Sequence, residues 1–87
     1  MKYRVIVSPA ADKFLMRLSL PDYQAVRQAI DSLADEPWPA QSRTVVGSDF
    51  LRVRVRRYRV IYAVDTKEKV VSVERVARRN ERTYKKL

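Results

Sequence analysis

The sequence predicts an α+β domain in which a helix hairpin packs on one face of a mainly antiparallel four-stranded sheet. Three observations predict it. A short, alternating, β-branched run opens the chain, two helical stripes of apolar residues follow, and from Phe50 onward the apolar period becomes two. The element order is β-α-α-β-β-β in a single domain spanning residues 1–87, a length that one small core fills.

Lys2 to Val7 (Lys-Tyr-Arg-Val-Ile-Val) reads as the first strand. Ser8-Pro9 supplies an N-cap and a first helical position, since serine can accept from a first-turn amide and proline has no amide to leave unpaired. Ala11, Phe14, Leu15 and Leu18 then recur at i, i+3, i+4 and i+7, the stripe of a short amphipathic helix. Ser19-Leu20-Pro21 breaks and restarts the chain. Tyr23, Val26, Ile30 and Leu33 mark one face of a second helix, ended by Pro37 and Pro39. Helices joined this tightly form an antiparallel hairpin. Residues 38–48, with Trp38, Pro39 and Gly47, form the one long connection.

In the strand that follows, Leu51, Val53 and Val55 share one side while Arg52, Arg54 and Arg56 share the other. A tight turn near Arg56-Arg57 leads into Tyr58 to Val64, an apolar run suited to a central strand. Asp65 to Glu68 is a polar turn, Val70 to Val76 the last long strand, and Ala77 to Leu87 a basic tail, helical or irregular. With helices over the valine face, the opposite face carries the arginines.

Composition narrows the function. Absence of cysteine excludes a disulfide framework and a thiolate metal site, and fits a reducing cytosol. Absence of histidine removes the usual general base near neutral pH and the commonest metal ligand. The single glycine, Gly47, excludes a Gly-rich phosphate loop. No run approaches the roughly 20 apolar residues that span a bilayer, and the opening run is too short and too charged for a signal peptide. These observations predict a cytoplasmic domain without metal, cofactor or membrane partner.

Charge is the most informative feature. Residues 1–49 carry six basic and six acidic side chains; residues 50–87 carry thirteen basic and four acidic, which accounts for the whole net charge of +9. Such a patch concentrates and steers polyanions, nucleic acid first among them, although a merely solvated basic face gives the same count. Arg52 and Arg54 lie about 7 Å apart on one strand face. Arg59 comes early in the next strand, where a hairpin sets it beside the end of the first. Arg78 and Arg79 close the last strand and Tyr84 follows. If these sides coincide, they form a concave surface of guanidinium groups and one phenol, suited to bidentate phosphate contact and base stacking. Arg56, Arg57, Arg82, Lys85 and Lys86 extend the expected RNA-binding surface, and Glu81 is a weak candidate base. Alternating arginines on an edge strand also serve simply to block aggregation.

The segment from Phe50 to Asp65, with Tyr-Arg-Val-Ile-Tyr at its centre, resembles the RelE/ParE superfamily of bacterial toxins. So do the opening strand with Ser8-Pro9-Ala10, the helix pair, Val46-Gly47, and the closing Val76-Ala-Arg-Arg with Tyr84, so the resemblance covers nearly the whole chain. It implies a toxin that, in the RelE branch, enters the ribosomal A site and cuts mRNA. It also implies a cognate antitoxin that packs on apolar surface and masks the basic face. The branch's acting positions fall on Arg52 and Arg54, Arg59, Arg78 or Arg79, and Tyr84. Arginine stands where lysines are typical, and arginine hardly loses its proton, which favours charge stabilisation over base catalysis. The implied reaction needs no metal: the 2′-hydroxyl attacks the adjacent phosphate, leaving a 2′,3′-cyclic phosphate and a 5′-hydroxyl. Two other readings stay open, a ParE-like inhibitor of DNA gyrase and a non-catalytic RNA- or ribosome-binding module.

Overall fold

A computed structural model describes residues 2–79, and in it the opening run forms β1 (Arg4–Val7). Ser8 caps α1 (Pro9–Leu15): its side chain accepts from the Ala11 amide at 3.1 Å, with Pro9 in the first turn. The helix is shorter than its apolar stripe, and Leu18 packs on the core from the turn beyond it. Ser19 precedes α2 (Leu20–Ser32), which ends before either proline. Pro37 serves instead as an anchor, its carbonyl accepting from the Tyr62 hydroxyl at 2.7 Å.

The sheet runs β1-β5-β4-β3-β2, formed with β2 (Arg43–Thr44), β3 (Leu51–Val55), β4 (Tyr58–Asp65) and β5 (Val70–Arg78). β1 joins β5 in parallel and every other pair is antiparallel. The predicted four strands are therefore five. The additional one, β2, is two exposed residues long and carries no apolar alternation. It arises because the long connection closes as a hairpin onto β3. Gly47 takes a φ of +76°, the Ser48 hydroxyl donates to the Val45 carbonyl at 2.9 Å, and the Val45 amide donates to the Phe50 carbonyl at 2.8 Å.

One face of this sheet is covered. Ala11, Leu15, Val26, Ile30 and Leu33 of the helical layer meet Val53, Tyr58, Val60, Tyr62, Val71, Val73 and Val76 in the core. Burying each large apolar side chain contributes about 1.5–3 kcal/mol, so this interface holds the fold. No helix among the described residues is long and apolar enough to cross a membrane.

Two irregularities set the other face. Arg56 and Arg57 form the β3–β4 turn, and Arg56 takes a φ of +55°, a conformation that favours glycine. A β-bulge in β5 leaves Glu74 without a partner on β4, since Ile61 pairs with Arg75 and Tyr62 with Val73. The Glu74 carbonyl accepts instead from the Ser8 hydroxyl at 2.7 Å, so the residue that caps α1 also secures the bulge. The bulge shifts the strand's parity: Val71 and Val73 face the core, Glu74 and Arg75 are both exposed, and Val76 returns to the core.

Candidate functional site

Side chains on directly paired residues share a sheet face. Arg54 pairs with Arg59, Arg52 with Ile61, Ile61 with Arg75, and Arg59 with Ala77, so all of these lie on the face the helices leave open. There they form the floor of a groove of about 780 Å³, with Arg52, Arg59, Ile61, Arg75 and Ala77 lining it beneath the β2–β3 hairpin. That hairpin supplies a wall of Thr44, Val45, Val46 and Phe50, of which Val46 is almost fully exposed. Glu74 lines the groove as well, the single carboxylate among the described residues that does so.

Arg59 stands apart from its neighbours. It is 7% exposed, the one buried charged residue among those described, whereas Arg54 is exposed and Arg52 half-buried. A guanidinium held at the base of a groove keeps its charge at any physiological pH. It also acts on an incoming anion through less screening than an exposed one.

The structure brings together three predicted residues, Arg52, Arg54 and Arg59. It separates the others. Arg56 leaves the alternating pattern because the chain turns there. Its guanidinium lies 3.4 Å from the Asp22 carboxylate of α2, on the helical side. Arg57 occupies the same turn. Arg78 pairs with Tyr58 and stacks over its ring at 5.7 Å, on the covered side, because the bulge has reversed the strand's parity. Arg79 stands just past β5, its amide donating to the Arg57 carbonyl at 2.6 Å and its guanidinium to the Arg56 carbonyl at 3.2 Å. It buttresses the turn and does not line the groove. Tyr84, Arg82, Lys85, Lys86 and Glu81 lie outside the described residues.

Sequence reasoning missed Arg75 and Glu74. The signal was present in the spacing of Val71, Val73 and Val76, where a step of two is followed by a step of three. Such a slip in a strand marks a bulge and brings two consecutive residues onto one side.

The phenols belong to the covered face. The Tyr58 hydroxyl donates to the Asp22 carboxylate at 2.8 Å, and that acceptor, then burial, holds the phenol above its ordinary pKa. Burial likewise pushes the Tyr62 phenol up. Both stay neutral donors that tie α2 and the loop after it to the sheet.

The chain with this two-helix layer over a five-stranded sheet is a toxin of the RelE/ParE superfamily. The family of the ParE toxin of type II toxin–antitoxin systems, parDE, matches residues 5–83, and the chain belongs to it. Comparison with curated protein sequences gave no match. Among solved structures, a chain of the archaeal RelE–RelB complex from Pyrococcus horikoshii is 31% identical with a TM-score of 0.83, the match covering 92% of this chain and 98% of that one. A chain of the RelBE2 toxin–antitoxin complex from Mycobacterium tuberculosis is 23% identical with a TM-score of 0.81, over 91% and 100%. The intact Escherichia coli RelBE complex contributes a match at 19% identity and a TM-score of 0.75, over 87% and 95%, a likeness of fold.

Proposed function

We propose that this toxin is a metal-independent, ribosome-dependent mRNA endonuclease acting in the cytoplasm, held inactive by a cognate antitoxin. The observation that carries this reading is the convergence of Arg52, Arg59 and Arg75 on one groove, with Arg54 beside it. Attack of the 2′-hydroxyl on the adjacent phosphate builds up negative charge on the phosphorane. Fixed cations aimed at that charge usually accelerate such a reaction more than any other single effect. Arg59 fits the role because burial fixes its position; Arg52, Arg54 and Arg75 fit the positioning of the backbone. Tyr84 keeps its proposed part in nucleotide stacking, whereas phosphate contact would require the Arg79 guanidinium to leave the Arg56 carbonyl and the Arg78 side chain to leave the Tyr58 ring. Alignment of the mRNA by the ribosome supplies the geometry that a groove with no lysine or histidine among its described residues does not impose alone. The complexes with RelB in the matched structures support an antitoxin partner here, one whose apolar and acidic residues suit a groove with an apolar wall and a cationic floor.

The family match itself favours a second reading, since it names the ParE toxin, and ParE-like members inhibit DNA gyrase. Pulse labelling after induction separates the two. An endonuclease acting on translated mRNA depresses protein synthesis before DNA synthesis. The reverse order, with no A-site cleavage on purified ribosomes, would establish the gyrase reading instead.

A further inference from the structure

Among the described residues the groove has ample positive charge and one carboxylate, Glu74, to move a proton. Arg52, Arg59 and Arg75 are guanidinium groups, a poor choice for accepting a proton, and among the described residues no lysine lines the groove. A 2′-hydroxyl must nevertheless lose its proton to attack phosphorus. We infer that Glu74 is the catalytic base of this toxin, an assignment that rests on the endonuclease reading above. The bulge puts the residue there. In a regular ladder one of two consecutive residues would face the helices, but at Glu74-Arg75 both side chains are exposed, which places the carboxylate beside the cations of the groove. Its backbone is fixed independently of its side chain, through the Ser8 hydroxyl on its carbonyl. Among the described residues no ion pair engages its carboxylate, in contrast to Asp22, Asp31 and Asp35, each of which is bridged to a basic side chain. The carboxylate is thus available to substrate.

The step balances without any co-reactant but water. Glu74 takes the proton from the 2′-hydroxyl as the O2′–P bond forms. The P–O5′ bond then breaks, and the departing 5′-oxygen takes a proton from water, leaving the cyclic phosphate and a 5′-hydroxyl. Glu74 returns its proton to solvent.

The test is single-turnover cleavage of mRNA in the A site of purified ribosomes, comparing wild type with Glu74→Gln and Glu74→Asp from about pH 6 to about pH 8.5. Wild type is expected to cut at a nearly constant rate across that range. Glu74→Gln is expected to cut about 10²–10⁴-fold more slowly, with a rate that climbs about tenfold per pH unit as hydroxide replaces the missing base. Its affinity for programmed ribosomes should be unchanged or tighter, because a negative charge has left a cationic groove, and Glu74→Asp should recover part of the rate. Wild-type cleavage with Glu74→Gln equally fast, or slowed by one constant factor at every pH, would overturn the assignment while leaving the endonuclease reading intact. No cleavage by wild type would overturn both.

Discussion

The covered and open faces of the sheet are built from the same strands and distribute their cations differently. On the covered side two cations are held at separate points: Arg56 bridges to Asp22, and Arg78 stacks over the Tyr58 ring. On the open side three guanidinium groups converge on one groove and a fourth stands beside it. A single two-residue alternation in β3, valine in and arginine out, serves both ends. The apolar half holds the helices. The cationic half is spared that duty and can be organised around a ligand. The fold and the site therefore draw on nearly separate sets of residues, so each can be disturbed without the other.

The largest test of that separation is thermodynamic. Leu15→Ala or Ile30→Ala, each deep in the covered face, should destabilise the protein by about 2–5 kcal/mol in denaturant unfolding. Arg75→Ala, exposed on the open face, should stay within about 0.5 kcal/mol of wild type. Comparable losses would show that the two faces are not independent.

Salt dependence then asks which arginines meet phosphate. Binding to a single strand through about five phosphates should give a slope of log K against log salt near −3 to −4, and each arginine removed should flatten it by about 0.7. Arg52→Ala and Arg75→Ala should do so; Arg78→Ala, on the covered face, should leave the slope alone. An equal change for Arg78→Ala would place RNA on both sides of the turn.

A smaller effect lies in pH. The folded Tyr58 phenol holds its proton more tightly than the unfolded one, whose ordinary value is 10.0. The folded state therefore binds more protons in that window, and stability should fall as pH rises through and above about 10. Tyr58→Phe should lower stability at neutral pH and flatten that alkaline decline, leaving what Tyr62 contributes. An unchanged alkaline profile in Tyr58→Phe would mean that the Asp22 hydrogen bond does not persist in solution.

Smallest of all should be Arg56→Gly. It relieves a φ of +55° and removes an ion pair at 3.4 Å that is largely open to water. The first costs a non-glycine residue about 1–2 kcal/mol and the second returns about 0–1, so a slight stabilisation is expected by thermal melting. A clear destabilisation would mean that the turn depends on the Asp22 contact.

Much of the fold was legible because the covered face writes a period. The stripe through Val26 and Ile30 and the alternation Leu51-Val53-Val55 located helix and strand, and the Arg56-Arg57 turn fixed Arg54 beside Arg59. What escaped has no period of its own. The strand Arg43–Thr44 is two exposed residues whose pairing depends on where β3 lies. Alternation assigned Arg56 to the open face, but alternation stops where the chain turns. In β5 the single bulge moved Arg78 to the helical side and brought in Arg75 and Glu74. There the strand's own slip in valine spacing, and not its charge, held the information.

The most direct measurement is cleavage of mRNA positioned in the A site of purified ribosomes, read by primer extension, with Arg59→Ala beside wild type and Arg78→Ala. Arg59 is the buried cation of the groove, and a preorganised transition-state donor of this kind typically carries about 10²–10³ in rate, roughly 2.7–4 kcal/mol. Arg59→Ala should lose that much in a protein whose circular dichroism shows it folded, while Arg78→Ala stays close to wild type. A folded Arg59→Ala protein that cuts at the wild-type rate would contradict the role of the buried cation.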